Sequence, residues 1–234
     1  MEKQIFIVNK ISNKKILYAL LIHYFAYVVM QTLALFAETK RGPSLPDRLH
    51  EWVTPRREFD WVNNQVWFIL LIVSIFYLCL FRKKSAILYL LIGSLVSIFR
   101  GIFIFLTSLG PPFALYSQIP QEIIQLKFEG ITLSLLFKHW LPLSILWDND
   151  SGVFFLTQDL FFSGHTASTF LLLICLKKKD LLYYIFLFYH INTVVFLILT
   201  HEHYTIDILG AYFVVYSCFM YFRNNRIFNY FIKF

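Results

Sequence analysis

The chain carries apolar stretches too long and too continuous for a water-soluble fold. Six of them occupy residues 16–37, 65–81, 86–109, 161–176, 181–200 and 205–222. A helix needs about 20 mostly apolar residues to cross the hydrocarbon core of a bilayer, so each stretch reads as a candidate span. Strand alternation is absent from them, which argues against a β-barrel. Only 15% of residues are charged and 58% are hydrophobic, against about 25% charged in an average soluble chain. So few charges cannot coat a surface for water. Disorder, a coiled coil and a nucleic-acid-binding domain are excluded, and no nucleic-acid partner is expected despite a formal charge of +7. The expected fold class is all-α: a polytopic six-transmembrane-helix bundle spanning 16–222 between tails at 1–15 and 223–234.

The charges orient this bundle. The first tail, the turns at Arg82-Lys83-Lys84 and Lys177-Lys178-Lys179, and the last tail together hold thirteen basic residues against Glu2 and Asp180. On the opposite face Lys40, Arg41, Arg48, Arg56, Arg57, Lys127 and Lys138 are outnumbered by acidic residues. Excess Lys and Arg marks the cytoplasmic side, so both termini are expected inside and the loops near 38–64 and 110–160 outside. Trp52, Trp61, Trp67, Trp140 and Trp147 fall on or beside the outer face, as interfacial anchors would. The first apolar run ends Ala34-Leu35-Phe36-Ala37, with a large residue where a leader cleavage site wants a small one, and reads as an uncleaved helix. A short interfacial helix is expected over 133–146. Cys79, Cys175 and Cys218 lie in apolar runs without metal-ligand spacing, as core residues do.

Chemistry concentrates at two helix starts. In Asp159-Leu-Phe-Phe-Ser163-Gly164-His165-Thr166, Ser163 suits an N-cap, Gly164 lets a ligand approach the backbone, and His165 falls in the first turn. Free N–H groups and the positive dipole end make such a terminus a phosphate site. In His201-Glu202-His203-Tyr204-Thr205-Ile206-Asp207, a helical spacing of four puts His203 and Asp207 on one face, where the carboxylate orients the imidazole. Both segments open at the outer side, so His165 and His203 can meet at one depth. Arg100 is a lone charge in an apolar run, which is costly in a membrane and points to function. Metal binding is the competing use of histidine. His201-x-His203 is the one candidate spacing, no HExxH occurs, and His23, His50, His139 and His190 are scattered, so no metal centre is expected.

At these residues the sequence resembles the sphingomyelin synthase-like family of the type 2 phosphatidic acid phosphatase superfamily. Pro43-Ser44-Leu45-Pro46-Asp47 is similar to the family's Pro-Pro-Leu-Pro-Asp motif, and Arg100 through Thr107-Ser108-Leu109 to its arginine motif. Asp159 to Thr166 resembles the end of Cys-Gly-Asp-x-x-x-Ser-Gly-His-Thr, with Thr157-Gln158 in place of Cys-Gly. His203-Tyr204-Thr205-Ile206-Asp207 matches His-Tyr-Thr-x-Asp. The resemblance implies a membrane lipid phosphotransferase that moves a phospho-head group from a glycerophospholipid donor to a lipid-alcohol acceptor such as ceramide. His203, oriented by Asp207, would be the nucleophile and would carry a phosphohistidine, and His165 would be the acid and then the base. Arg100, Ser163, Gly164, Asp159 and Tyr204 would bind substrate, with no cofactor and no metal. It implies a plasma or Golgi membrane, with the site on the lumenal or periplasmic side.

Two other readings remain. A lipid phosphate phosphatase would use water as acceptor, but phosphatases of this superfamily carry extra arginines. Here Gly101 follows Arg100, and Phe196 and Leu197 precede His203 where such an arginine would stand. A diester monoanion needs less positive charge than a monoester dianion, which favours a diester donor. A non-enzymatic lipid-binding or transport protein would show polar breaks at mid-membrane in several helices, and the ionisable groups here gather at one face.

Overall fold

The computed structural model describes residues 12–40, 42–112, 126, 130–141, 156, 160–176 and 181–225. Asp159, Trp147, the basic turn at 177–179, most of both tails and residues 142–146 of the expected interfacial helix lie outside them. The described residues are helical, in the order α1 (Asn13–Glu38), α2 (Arg48–Trp52), α3 (Trp67–Phe81), α4 (Lys83–Thr107), α5 (Leu133–Trp140), α6 (Gly164–Ile174), α7 (Leu181–Thr200) and α8 (Thr205–Asn224). A 3-10 turn at Arg57–Phe59 and a π-helical turn at Val62–Val66 lead into α3.

Among the described residues, five helical segments are long and apolar enough to cross a membrane: Asn13–Glu38, Arg57–Phe81, Lys83–Thr107, Leu181–Thr200 and Thr205–Asn224. Their outward faces are apolar, with Phe25, Phe76, Phe188 and Phe213 exposed by 67%, 64%, 71% and 75%. Such faces are stable only against lipid, and the protein is an integral multi-pass membrane protein.

Helix α4 is the hub, packing on α1, α3, α6 and α8. Its closest approach is to α1. A Cβ on Gly101 would lie 2.8 Å from the Met30 Cα, so only a residue without a side chain allows the two backbones so near. His23 Nδ1 sits 3.1 Å from the Leu90 carbonyl and ties the same pair. α4 stops at Thr107 because Ser108 turns left-handed (φ 42°) and sends its N–H to Ile104 O. α5 lies along α1, where Tyr27 donates to His139 O (2.9 Å) and Trp140 Nε1 donates to Thr32 Oγ1 (3.0 Å).

Two expected spans differ from the structure. The second begins at Arg57 rather than near 65. The π turn directs Asn63 and Asn64 inward, where they are 1% and 3% exposed, and hydropathy alone does not recognise buried amides as part of a span. The fourth is a helix of 11 residues, Gly164–Ile174, which rises only about 16 Å against about 30 Å of hydrocarbon. It starts late because Ser163 caps it, and it is enclosed by α4, α7 and α8.

Candidate active site

The N-termini of α6 and α8 meet beneath α4. Ser163 is in extended conformation and its Oγ accepts from Thr166 N (3.3 Å), the N-cap that the sequence suggests. Ser163 N donates to the Asp207 carbonyl (3.0 Å), which joins the two helix starts directly. His165 and His203 face each other edge to face with ring centroids 5.7 Å apart, both buried.

His203 and Asp207 come together differently from the expected shared helical face. His203 lies in the turn before α8, whose N-cap is Tyr204. Asp207 curls back over that turn, with Oδ2 accepting from Tyr204 N (3.0 Å) and lying 3.5 Å from His203 Nδ1. The carboxylate therefore caps the helix and flanks the imidazole, leaving Nε2 as the ring nitrogen remote from Asp207.

Arg100 occupies the place beside Gly164 that the sequence reading reserves for a ligand. Its Nε donates to Phe162 O (2.9 Å), and a Cβ on Gly164 would lie 2.9 Å from the guanidinium carbon. Glycine is required there because the guanidinium lies against the first turn of α6. Its charge acts on both His165 and Asp207. Tyr204 is 1% exposed, and its hydroxyl donates to Gly110 O (2.9 Å) and accepts from Leu45 N (3.0 Å). Its hydroxyl is engaged in fixing the 43–47 strap.

Several partners carry no signal in a hydropathy profile. The His165 ring bonds the Asn63 backbone and packs on Trp67 at 4.2 Å between centroids. Asp47 caps α2 through Leu49 N (3.0 Å) and also accepts from Thr205 N (2.6 Å) and Thr205 Oγ1 (2.9 Å) at the start of α8. Burial pushes the Asp47 carboxyl up, but these Thr205 bonds outweigh it and hold it below the ordinary range. His50 bonds the His203 carbonyl (3.1 Å) through Nε2 and stacks on His201 at 4.0 Å and 6°. Burial lowers both imidazoles below their usual value. His201 itself is left-handed (φ 56°), an uncommon state for a residue with a side chain. The Pro43–Asp47 motif flags this strap in the sequence, although its long-range partners are not visible there.

Residues 158–225 match the family model described as PAP2 superfamily C-terminal. The match contains both histidine motifs and supports the type 2 phosphatidic acid phosphatase superfamily, and with it a function of the lipid phosphatase or phosphotransferase type. No curated protein matches the chain.

Proposed function

We propose that the chain is a lipid phosphotransferase of the sphingomyelin synthase-like kind, moving a phospho-head group from a glycerophospholipid to a lipid alcohol such as ceramide. The observation that carries this reading is the pairing of His165 with His203 at 5.7 Å, over two helix N-termini and beside Arg100. His203 Nε2 attacks the phosphorus of the donor. The bond from phosphorus to the diacylglycerol oxygen breaks, and that oxygen takes a proton from His165. The head group then rests on His203 as a phosphohistidine. The acceptor hydroxyl gives its proton to His165 as its oxygen attacks phosphorus, and the bond to His203 breaks. Asp207 stabilises the charge that His203 develops, while Arg100 and the first-turn N–H groups of α6 meet the phosphoryl oxygens.

One arginine, Arg100, against the first turn of α6 suits a diester monoanion better than a monoester dianion, which favours a transferase over a phosphatase. The charge distribution supports cytoplasmic termini and a site at the outer leaflet. The test is purified protein in vesicles holding labelled phosphatidylcholine and phosphatidylethanolamine with ceramide, and phosphatidic acid in a separate set. A new phosphosphingolipid with equimolar diacylglycerol, absent in His203→Ala, is expected. Free phosphate from phosphatidic acid with no transfer product would make the protein a hydrolase.

A further inference from the structure

Glu202 stands between His201 and His203, in the turn that joins α7 to α8. Its carboxyl faces Asp60 and Arg57 from the segment before α3, and bonds the Asn63 side chain. Arg57 is already committed, with Nη2 on Asp60 Oδ2 (2.7 Å) and Nη1 on Thr200 O (2.8 Å). One guanidinium thus serves two carboxyls, and among the described residues no other cation faces Glu202. A buried carboxyl in that position keeps its proton. Burial first, and then the neighbouring Asp60, push Glu202 up to about 8.

Asn63 connects this cluster to the site. It is 1% exposed, and its Nδ2 donates to Thr200 Oγ1 (2.9 Å). Its backbone bonds the His165 ring. Among the described residues, three buried oxygens of the cluster have no hydrogen-bond partner: Asp60 Oδ1, Asn63 Oδ1 and Glu202 Oε2. Orphaned polar atoms of this kind are costly. A proton on Glu202 would make the carboxyl a donor as well as an acceptor toward the Asn63 side chain that it already bonds, and so would relieve two of the three.

We propose that Glu202 is a positioning residue for His165: as a neutral carboxyl it pairs with the Asn63 side chain and holds in place the backbone to which the His165 imidazole is bonded. His203 has a carboxylate as its orienting partner, whereas His165 has a peptide group braced by an un-ionised acid. A peptide partner fixes the tautomer without adding a negative charge beside the phosphoryl group. This inference rests on the reading of His165 as the proton donor and acceptor of the transfer.

The experiment is the pH profile of head-group transfer by the full chain in phosphatidylcholine–ceramide vesicles. It compares the parent with Glu202→Gln, Glu202→Ala, His165→Ala and His203→Ala. Glutamine keeps both hydrogen-bonding functions and cannot ionise. Glu202→Ala is expected to lower kcat by roughly tenfold, the scale of a disturbed proton-transfer partner, with KM little changed. Glu202→Gln recovers most of that loss. The parent loses rate as pH rises through about 8, and Glu202→Gln lacks that decline. If Glu202→Gln is as slow as Glu202→Ala, or shares the parent's alkaline decline, the proposal is overturned even with both histidine variants inactive. If the histidine variants keep turning over, the reading of the site fails first. Should Glu202→Ala not fold, the comparison of parent with Glu202→Gln decides alone.

Discussion

Asp47 offers the sharpest test of how the site is held. Replacing it by alanine removes the cap of α2 and both bonds to Thr205 at the start of α8. Loss of an N-cap costs about 1 kcal/mol, and a hydrogen bond to a charged group about 1.5–3 kcal/mol. Asp47 is only partly buried, so water replaces part of the loss. About 2 kcal/mol for undocking the strap from α8 is the expected sum, a change of about 30-fold in the open population. Hydrogen exchange in nanodiscs reads this directly. Amides of 203–207 and 43–50 should exchange about 30-fold faster in Asp47→Ala, while those in the middle of α4 keep the parent rate. Thr205→Val, which removes only the 2.9 Å hydroxyl bond, should give a smaller acceleration in the same segments. A depressed carboxylate contributes fully above its unfolded value and loses that contribution as pH falls through the folded one. The difference between parent and Asp47→Ala should therefore shrink below about pH 4. Unchanged exchange at 203–207 in Asp47→Ala would refute the reasoning.

Three further outcomes follow from the same geometry. Gly164→Ala places a methyl 2.9 Å from the Arg100 guanidinium carbon, so kcat should fall at least tenfold with little loss of folded protein by size-exclusion chromatography. Ser163→Ala, which removes the cap on Thr166 N, should cost about 1 kcal/mol, seen as earlier thermal unfolding in detergent. His50 and His201 are both held below their ordinary value, so their stack is fully stabilising above about pH 6.5 and weakens as pH falls through the folded values. Facing Asp47, Asp207 and Arg57, the stacked pair should make exchange at 43–50 rise on acidification, and His50→Gln should flatten that rise.

Much of this architecture can be read from residue patterns, for physical reasons that differ by element. The span at 181–200 is helical over that whole range, and α8 begins at Thr205 as read, because uninterrupted apolar runs between polar turns leave no other solution in lipid. The Ser163 cap follows from local chemistry, and the meeting of His165 with His203 from both segments opening at one end of the bundle. The span beginning at Arg57 was less legible, because Asn63 and Asn64 look like loop residues until a π turn buries them. Gly164 leaves room at the start of α6, and what lies against it is Arg100, brought in by α4 packing that no local motif encodes. Asp47 and Thr205 lie 158 residues apart, and Asn63 reaches His165 only through tertiary packing. Such partners become visible only when the helices are assembled.

The central claim is that His203 carries the head group between donor and acceptor. It is tested most directly by mixing the protein with vesicles of phosphatidylcholine and phosphatidylethanolamine radiolabelled at phosphorus, without acceptor, then quenching in base and mapping the labelled peptide. The account predicts an acid-labile, base-stable label on the peptide containing His203, formed with one equivalent of diacylglycerol, retained in Glu202→Gln and absent in His203→Ala. Label on His165 instead, or product formation on adding ceramide in the His203→Ala protein, would contradict it.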